Sequence, residues 1–404
     1  MAYVRKYSGP PGTGKTTTIV EAIGGMLKNG VQPEEIAFVS LTNKSIKVAL
    51  ERVEEAFGKE IADRCDNFRT LHSFTTHNGA LDGSVMSLED YNEHLLGFLH
   101  RKGFLKQKSK LAWISPGDDH ATRLWMVEVS NYAKTVEKDW LEGVREFIED
   151  QKGWHLDPES IPYLRKVNML VNSWKDQHGK FEFEDVIQEF NDGGHENCKK
   201  FQVIFVDEAQ DLTPAQWTTI ERLREKTVNM CIFGDVNQSI YGFAGVDPER
   251  YINFPADENH CLITTYRFGD SIRDYALDCL GEGNLNPEAE YKSTDKRSHV
   301  KVLLDRDRAH VRAERLIKVA AAMNKSVLIL APTKDQLSAT PGFNLVEDYD
   351  NVTASTIHKA KGGEADIVIF NCSFGKQWYR NISELQRVAY VARTRARKIM
   401  YEVQ

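Results

Sequence analysis

Residues Gly9–Thr16 read G-P-P-G-T-G-K-T, a glycine-rich turn closed by a lysine and a hydroxyl residue. That stretch restricts the chain to folds that set a strand, a tight loop and a helix in line. Tyr3–Tyr7 ahead of it can form the strand, and Thr16–Leu27 the helix. In such a loop Gly12 and Gly14 let successive N–H groups converge on phosphate oxygens, helped by the positive end of the helix. Gly9, Pro10, Pro11, Thr13 and Thr17 complete the loop and its exit. Lys15 is expected to reach the β- and γ-phosphates, and Thr16 to ligate Mg²⁺. A chance glycine turn is the alternative, and the strand–loop–helix setting argues against it. The expectation is a nucleoside triphosphate site.

At 404 residues the chain has room for two to three domains, each with its own core. Six cysteines are scattered without a C-x-x-C pair, which points to a reducing compartment and away from a zinc site. The first residues run straight into the expected strand with no apolar leader, and no run of about 18 apolar residues occurs. The expectation is a cytoplasmic protein, of a prokaryotic cell or a phage-infected host, with no membrane partner. Net charge of −7 argues mildly against nucleic acid, but binding depends on local patches, so charge leaves the matter open.

Along the chain, strand and helix alternate through residue 74, with the apolar run Ile36–Leu41 and a helix over Asn43–Phe57. From 75 to 195 strand-like runs give way to Trp, Lys and Glu at helical spacing, as in Leu124-Trp125-Met126-Val127, which predicts a helical insertion. Continuous apolar runs return at Phe201–Val206 and Val228–Phe233, as buried parallel strands require. Further strands are expected from Leu262 and at 300–304, 327–330, 352–354 and 367–370, with helices at 269–280, 306–323 and 383–397. The fold class is α/β, with two parallel-sheet domains and a helical insertion in the first. The expected limits are 1–74 with 196–258, then 75–195, then 259–404.

Val206-Asp207-Glu208-Ala209-Gln210-Asp211 ends one of these strands, where α/β active sites form. The adjacent carboxylates divide naturally, Asp207 toward the Mg²⁺ shell and Glu208 toward the attacking water. After the next strand, Gly234-Asp235-Val236-Asn237-Gln238 places an amide, Gln238, where it can sense the γ-phosphate; a hydrophilic loop is the alternative.

With these pieces in this order the chain resembles a superfamily 1 helicase of the UvrD/Rep/PcrA type. The phosphate loop resembles motif I, Ser40–Lys44 motif Ia, and Thr70–Phe74 the next DNA-contacting motif. V-D-E-A-Q-D resembles motif II, Gly234–Gly245 motif III, Thr265–Arg267 motif IV, Thr353–Glu364 motif V and Val388–Ala396 motif VI. The resemblance implies two RecA-like domains, 1A and 2A, with the insertion as domain 1B. It implies that Arg267 and Arg395 reach the γ-phosphate from the second domain, an arginine-finger arrangement. A basic helix face with Arg387, Arg393, Arg397 and Lys398 is the other reading of Arg395. Tyr266 would stack on adenine, a core aromatic being the alternative, and Glu364 would hydrogen-bond the ribose. For DNA it points to Thr42, Asn43, His72, Phe243 and Thr356. A flat ring such as Phe243 serves any base, whereas His72 can equally be structural.

Four departures stand out. No glutamine precedes Gly9, which puts strict ATP preference in doubt, and Gly363 and Ala244 stand where the family has Leu and Arg. Between Arg267 and Thr353 there is room for little beyond the second domain's own strands, so domain 2B is absent or vestigial. The expected activity is ATP-dependent, 3′→5′ translocation on single-stranded DNA and unwinding of duplexes with single-stranded tails, with an accessory protein as a possible partner. RNA unwinding, or a nucleotide-dependent clamp or loader that does not unwind, are the rivals.

Overall fold

The computed structural model describes residues 2–81, 83–87, 89–103, 128–129, 131–151, 155–286, 291–294, 297–303, 306–374 and 381–403. Leu124–Val127 lie outside them. Two all-parallel sheets organise the chain. The first has the order β3-β2-β6-β7-β1-β8, from Phe68–Thr70, Ile36–Ser40, Phe201–Val206, Thr227–Gly234, Tyr3–Ser8 and Glu258–Cys261. The second has the order β11-β15-β14-β12-β13, from His299–Leu303, Ala396–Val403, Ala365–Asn371, Val327–Ala331 and Val352–Thr356. Strands β2 and β12 are buried at every position, which is why their sequences are unbroken apolar runs.

Each sheet is covered on both faces. One face of the first packs Phe74, Ile187, Phe190 and Trp217; the other packs Ile19, Ile23, Val53 and Phe233. Ile187 and Phe190 lie on the helix Phe183–Asp192, and β8 pairs with β1 through Ser8↔Cys261. The first domain's packing therefore crosses the limits expected at residues 195 and 258. The rest of the insertion keeps its own core, around Leu95, Leu99, Val144, Val167 and Trp174. The short paired strands β4, Ser84–Val85, and β5, Lys180–Phe181, join its two ends, and β9, Thr264–Thr265, pairs with β10, Lys292–Ser293, ahead of the second sheet.

The C-terminal region differs from the sequence expectation. The helix runs Ile382–Arg393 and stops, and residues 396–403 form β15 between β11 and β14. At the helix end the hydroxyl of Thr394 donates to the carbonyls of Tyr390 and Val391 at 2.9 and 3.0 Å. Arg395 thus sits in a turn rather than on a helix with Arg397 and Lys398, and the basic-face reading does not hold. Tyr266 is 69% exposed, so it is not a core aromatic either.

Candidate active site

The phosphate loop joins β1 to the helix Lys15–Lys28, and Gly9 N–H donates to the Gly234 carbonyl at 3.0 Å, aligning the loop with the end of β7. Gly12 and Gly14 take φ of 76° and 85°, the left-handed region that glycine enters without steric cost. Gly12 has a second reason: a Cβ there would lie 2.4 Å from Arg267 Cβ. The loop is bound to the second domain's first segment. Tyr266 N–H donates to Gly12 O, and Thr265 Oγ1 and Tyr291 OH both donate to Pro11 O, each at 2.9 Å. Gly14 caps the helix with no side-chain hydrogen bond, leaving first-turn N–H groups for an anion. Lys15 Nζ folds onto the Gly9 carbonyl at 2.6 Å.

A cleft of about 1210 Å³ opens between the sheets. It brings together Pro11 to Thr17, Thr42, Asp207, Glu208, Gln238, Tyr266, Arg267, Glu364 and Arg395. Asn43, His72, Phe243 and Thr356 lie outside its lining. Tyr266 presents its ring at the mouth. Glu364 is engaged by Arg267 Nε at 2.6 Å and by Arg397 at 3.5 Å, so its carboxylate is shared with two guanidinium groups.

Electrostatics separate the two carboxylates after β6. Burial and the Glu208 charge push the Asp207 carboxyl above the usual range, against the pull of Lys15. Burial opposes the Glu208 charge too, but Lys361, Lys15, a Gln210 hydrogen bond and Arg395 together hold its pKa below the usual value. Glu208 is thus an ionised acceptor, suited to a base. Thr16 and Asp207 offer a hydroxyl and a carboxylate, the hard oxygen donors that Mg²⁺ takes. A cation there would compensate the buried Asp207 charge, so the residues fit that ion.

Arg395, 1% exposed, donates to Gln238 Oε1 at 2.7 Å and through Nε to Val391 O at 2.9 Å. Burial, then repulsion from Arg267, lowers it to about 10, so it remains a cation at neutral pH. The loop after β7 straddles the domains: Ile240 packs in the second sheet's core, and Arg387 Nε donates to Ser239 O at 3.0 Å. Several of these partners received no role from sequence. Gln210, Asp211, Asp235 and Lys361 fall inside the quoted motifs, which was the available signal, and Arg387 lies one residue before motif VI. Lys361 pairs with Asp211, donates to Gln238 O, and lies 5.1 Å over the Tyr241 ring.

Among the nucleic-acid candidates, Phe243 is 46% exposed and edge-on to His358 and Tyr241 at 5.4 and 6.0 Å. Thr42 is spent as a helix cap, accepting from Ser45 N at 3.2 Å, with Asn43 exposed beside it. His72 packs edge-on to Phe183 at 4.9 Å, and burial lowers its imidazole to about 4. It is therefore neutral at pH 7, able to share a hydrogen bond with a phosphate but not a charge. Thr356 closes β13.

Comparison with known proteins places this geometry. The UvrD/REP helicase N-terminal domain matches residues 7–259, and the UvrD-like helicase C-terminal domain matches 351–401. ATP-dependent DNA helicase PcrA of Staphylococcus epidermidis is 24% identical over 323 residues, 76% of this chain and 42% of that protein. PcrA of Leuconostoc citreum is 23% identical, covering 68% of this chain and 36% of that one. The chain thus spans less than half the length of these relatives. A solved complex of arterivirus nonstructural protein 10 (helicase) with DNA aligns with 99% of this chain and 61% of that one, at 12% identity and a TM-score of 0.45.

Proposed function

The chain belongs to the UvrD/REP helicase family, and we propose that it is an ATP-driven 3′→5′ translocase on single-stranded DNA and a DNA helicase. The observation that carries this reading is the shared cleft, where a phosphate loop and an ionised Glu208 from one sheet face Arg267 and Arg395 from the other. In this mechanism the loop amides and Lys15 bind the β- and γ-phosphates. Glu208 orients a water and takes its proton as the water attacks the γ-phosphorus, the bond to the β,γ-bridging oxygen breaks, and ADP and phosphate leave. Gln238, Arg267 and Arg395 stabilise charge on the transferring phosphoryl group. Thr16 and Asp207 would hold Mg²⁺, which supplies charge neutralisation on the phosphates. Tyr266 offers its ring to the base and Glu364 its carboxylate to the ribose.

Movement follows from the loop after β7. Gln238 faces the cleft while Phe243, on the next turn, is exposed to stack on a DNA base. Thr42, Asn43, His72 and Thr356 would line the strand's path. The clamp or loader reading draws on the stretch from Arg267 to Val352, where the described elements all belong to the second domain or its contacts with the first. Strand displacement on duplexes with 3′ or 5′ tails, with ATP and GTP and with DNA and RNA tracking strands, tests the proposal. Unwinding of the 3′-tailed DNA is expected. ATP turnover without displacement on any substrate would favour the clamp, and preference for an RNA track would change the substrate.

A further inference from the structure

Gln210 is 1% exposed, in the single helical turn Ala209–Asp211 after Glu208. Its Nε2 donates to Glu208 Oε2 at 2.7 Å and to Asp211 Oδ2 at 3.3 Å. Its Oε1 accepts from Asp235 N–H at 3.0 Å, and its main-chain carbonyl accepts from the Ser239 hydroxyl at 3.1 Å. These partners fix the amide's orientation. Turned over, the NH₂ would face the Asp235 N–H and the oxygen would face two carboxylates. Gly234 permits the approach, since a Cβ there would lie 2.9 Å from Gln210 Oε1.

We propose that Gln210 is a positioning residue for hydrolysis, orienting the Glu208 carboxylate and tying that orientation to the loop after β7. The inference rests on Glu208 being the base. Glu208 has φ of 55°, a left-handed backbone that a non-glycine residue keeps only when its surroundings hold it there. The Gln210 amide is one such hold. Beyond Asp235 the contacts continue: its Oδ2 accepts from Gln238 Nε2, whose Oε1 accepts from Arg395, both at 2.7 Å. An unbroken chain of polar contacts therefore runs from the base through Gln210, Asp235 and Gln238 to Arg395. The loop that carries Phe243 is part of it, so displacement of that loop is transmitted to the carboxylate. Only glutamine meets the chemistry at this reach, with two donors for two carboxylates, one acceptor for an N–H, and no charge. Glutamate in ionised form would offer acceptors alone.

The test uses Gln210→Met, which keeps volume without hydrogen bonds, and Gln210→Asn, which keeps an uncharged amide but shortens its reach and guards against a folding defect in the first. Melting temperature, affinity for a fluorescent ATP analogue, and DNA-stimulated ATPase against pH are measured on each. Nucleotide Kd is expected within about threefold of the parent and kcat down by at least about tenfold, as when a supporting hydrogen bond to a reactive ligand is lost. The acid limb of the kcat profile should also move to higher pH, because the carboxylate has lost a donor. A parent-like kcat and acid limb would overturn the inference. So would a kcat loss that merely tracks lost nucleotide affinity and melting temperature with the limb unmoved. Glu208→Gln separates the premise. If that variant turns over normally, the base assignment fails; if it is inactive while Gln210→Met is parent-like, the Gln210 inference alone fails.

Discussion

Arg395 and Gln238 meet at 2.7 Å across the two sheets, the guanidinium from the turn before β15 donating to the amide oxygen on the loop after β7. Each side chain is buried, and each also faces the cleft. Separating the domains must therefore break a charge-assisted hydrogen bond at the nucleotide.

Arg395→Ala is expected to leave single-strand DNA affinity near the parent value and to cut DNA-stimulated hydrolysis by roughly 10³ or more, the scale of an arginine finger. Paired DNA-binding and ATPase titrations check this. Lost affinity with retained turnover would make Arg395 a DNA contact.

Lys15→Ala and Glu208→Gln should both abolish hydrolysis but diverge in binding. The first removes charge from the phosphate loop and weakens nucleotide affinity, while the second leaves binding intact. Isothermal titration with a non-hydrolysable analogue, beside turnover, distinguishes them. Equal affinity losses would mean that Glu208 acts in binding.

Phe243→Ala should cost about 1–3 kcal/mol of single-strand affinity, the value of one base–aromatic stack. Because the ring is half-exposed, melting temperature should barely move. ATPase at saturating DNA should persist while strand displacement collapses. Proportionate loss of stability and both activities would instead mean that the ring packs in the protein.

Lys361 and Asp211 are a nearly dry ion pair across the domains. Lys361→Met should destabilise by about 3–5 kcal/mol, since it leaves a buried carboxylate unpaired. Adding Asp211→Asn should restore most of that loss. Urea unfolding of the two variants measures it, and a negligible cost for the single change would show the pair to be hydrated in solution.

Acid should destabilise the protein partly through His72. Its folded imidazole sits at about 4 against an ordinary 6.5, so between those values the unfolded chain binds the extra proton. Stability is then lost as pH falls through 6.5 toward 4, with no further loss from this group below. His72→Gln should flatten the melting profile in that window and leave the salt slope of DNA binding unchanged, since a neutral ring releases no counterion. A smaller salt slope in the variant would mean that the imidazole is charged on DNA.

The strand that carries Asp207 could be read from sequence because a parallel strand buried on both faces is an almost unbroken apolar run, whereas β1, Y-V-R-K-Y-S and only partly buried, was legible from the glycine loop that follows it. Strand β15 could not: Arg397 and Lys398 interrupt its run, and A-R-T-R-A-R-K extends a helical pattern. What draws these residues into a strand is pairing with β11 and β14, partners distant in the chain that composition does not reveal. Gln210 was hidden for another reason. Its meaning comes from Asp235, far along the chain, and from a strand end that approaches only because residue 234 is glycine.

Strand β15 lies inside the second sheet, with β11 paired to it alone. During synthesis β11 emerges long before residues 396–403, and its bonding edge stays open until they arrive. Arg395 immediately precedes that strand, so it is set in place only when β15 docks. The contact between Arg395 and Gln238 is therefore a late one, made only after strands distant in the chain have closed the second sheet.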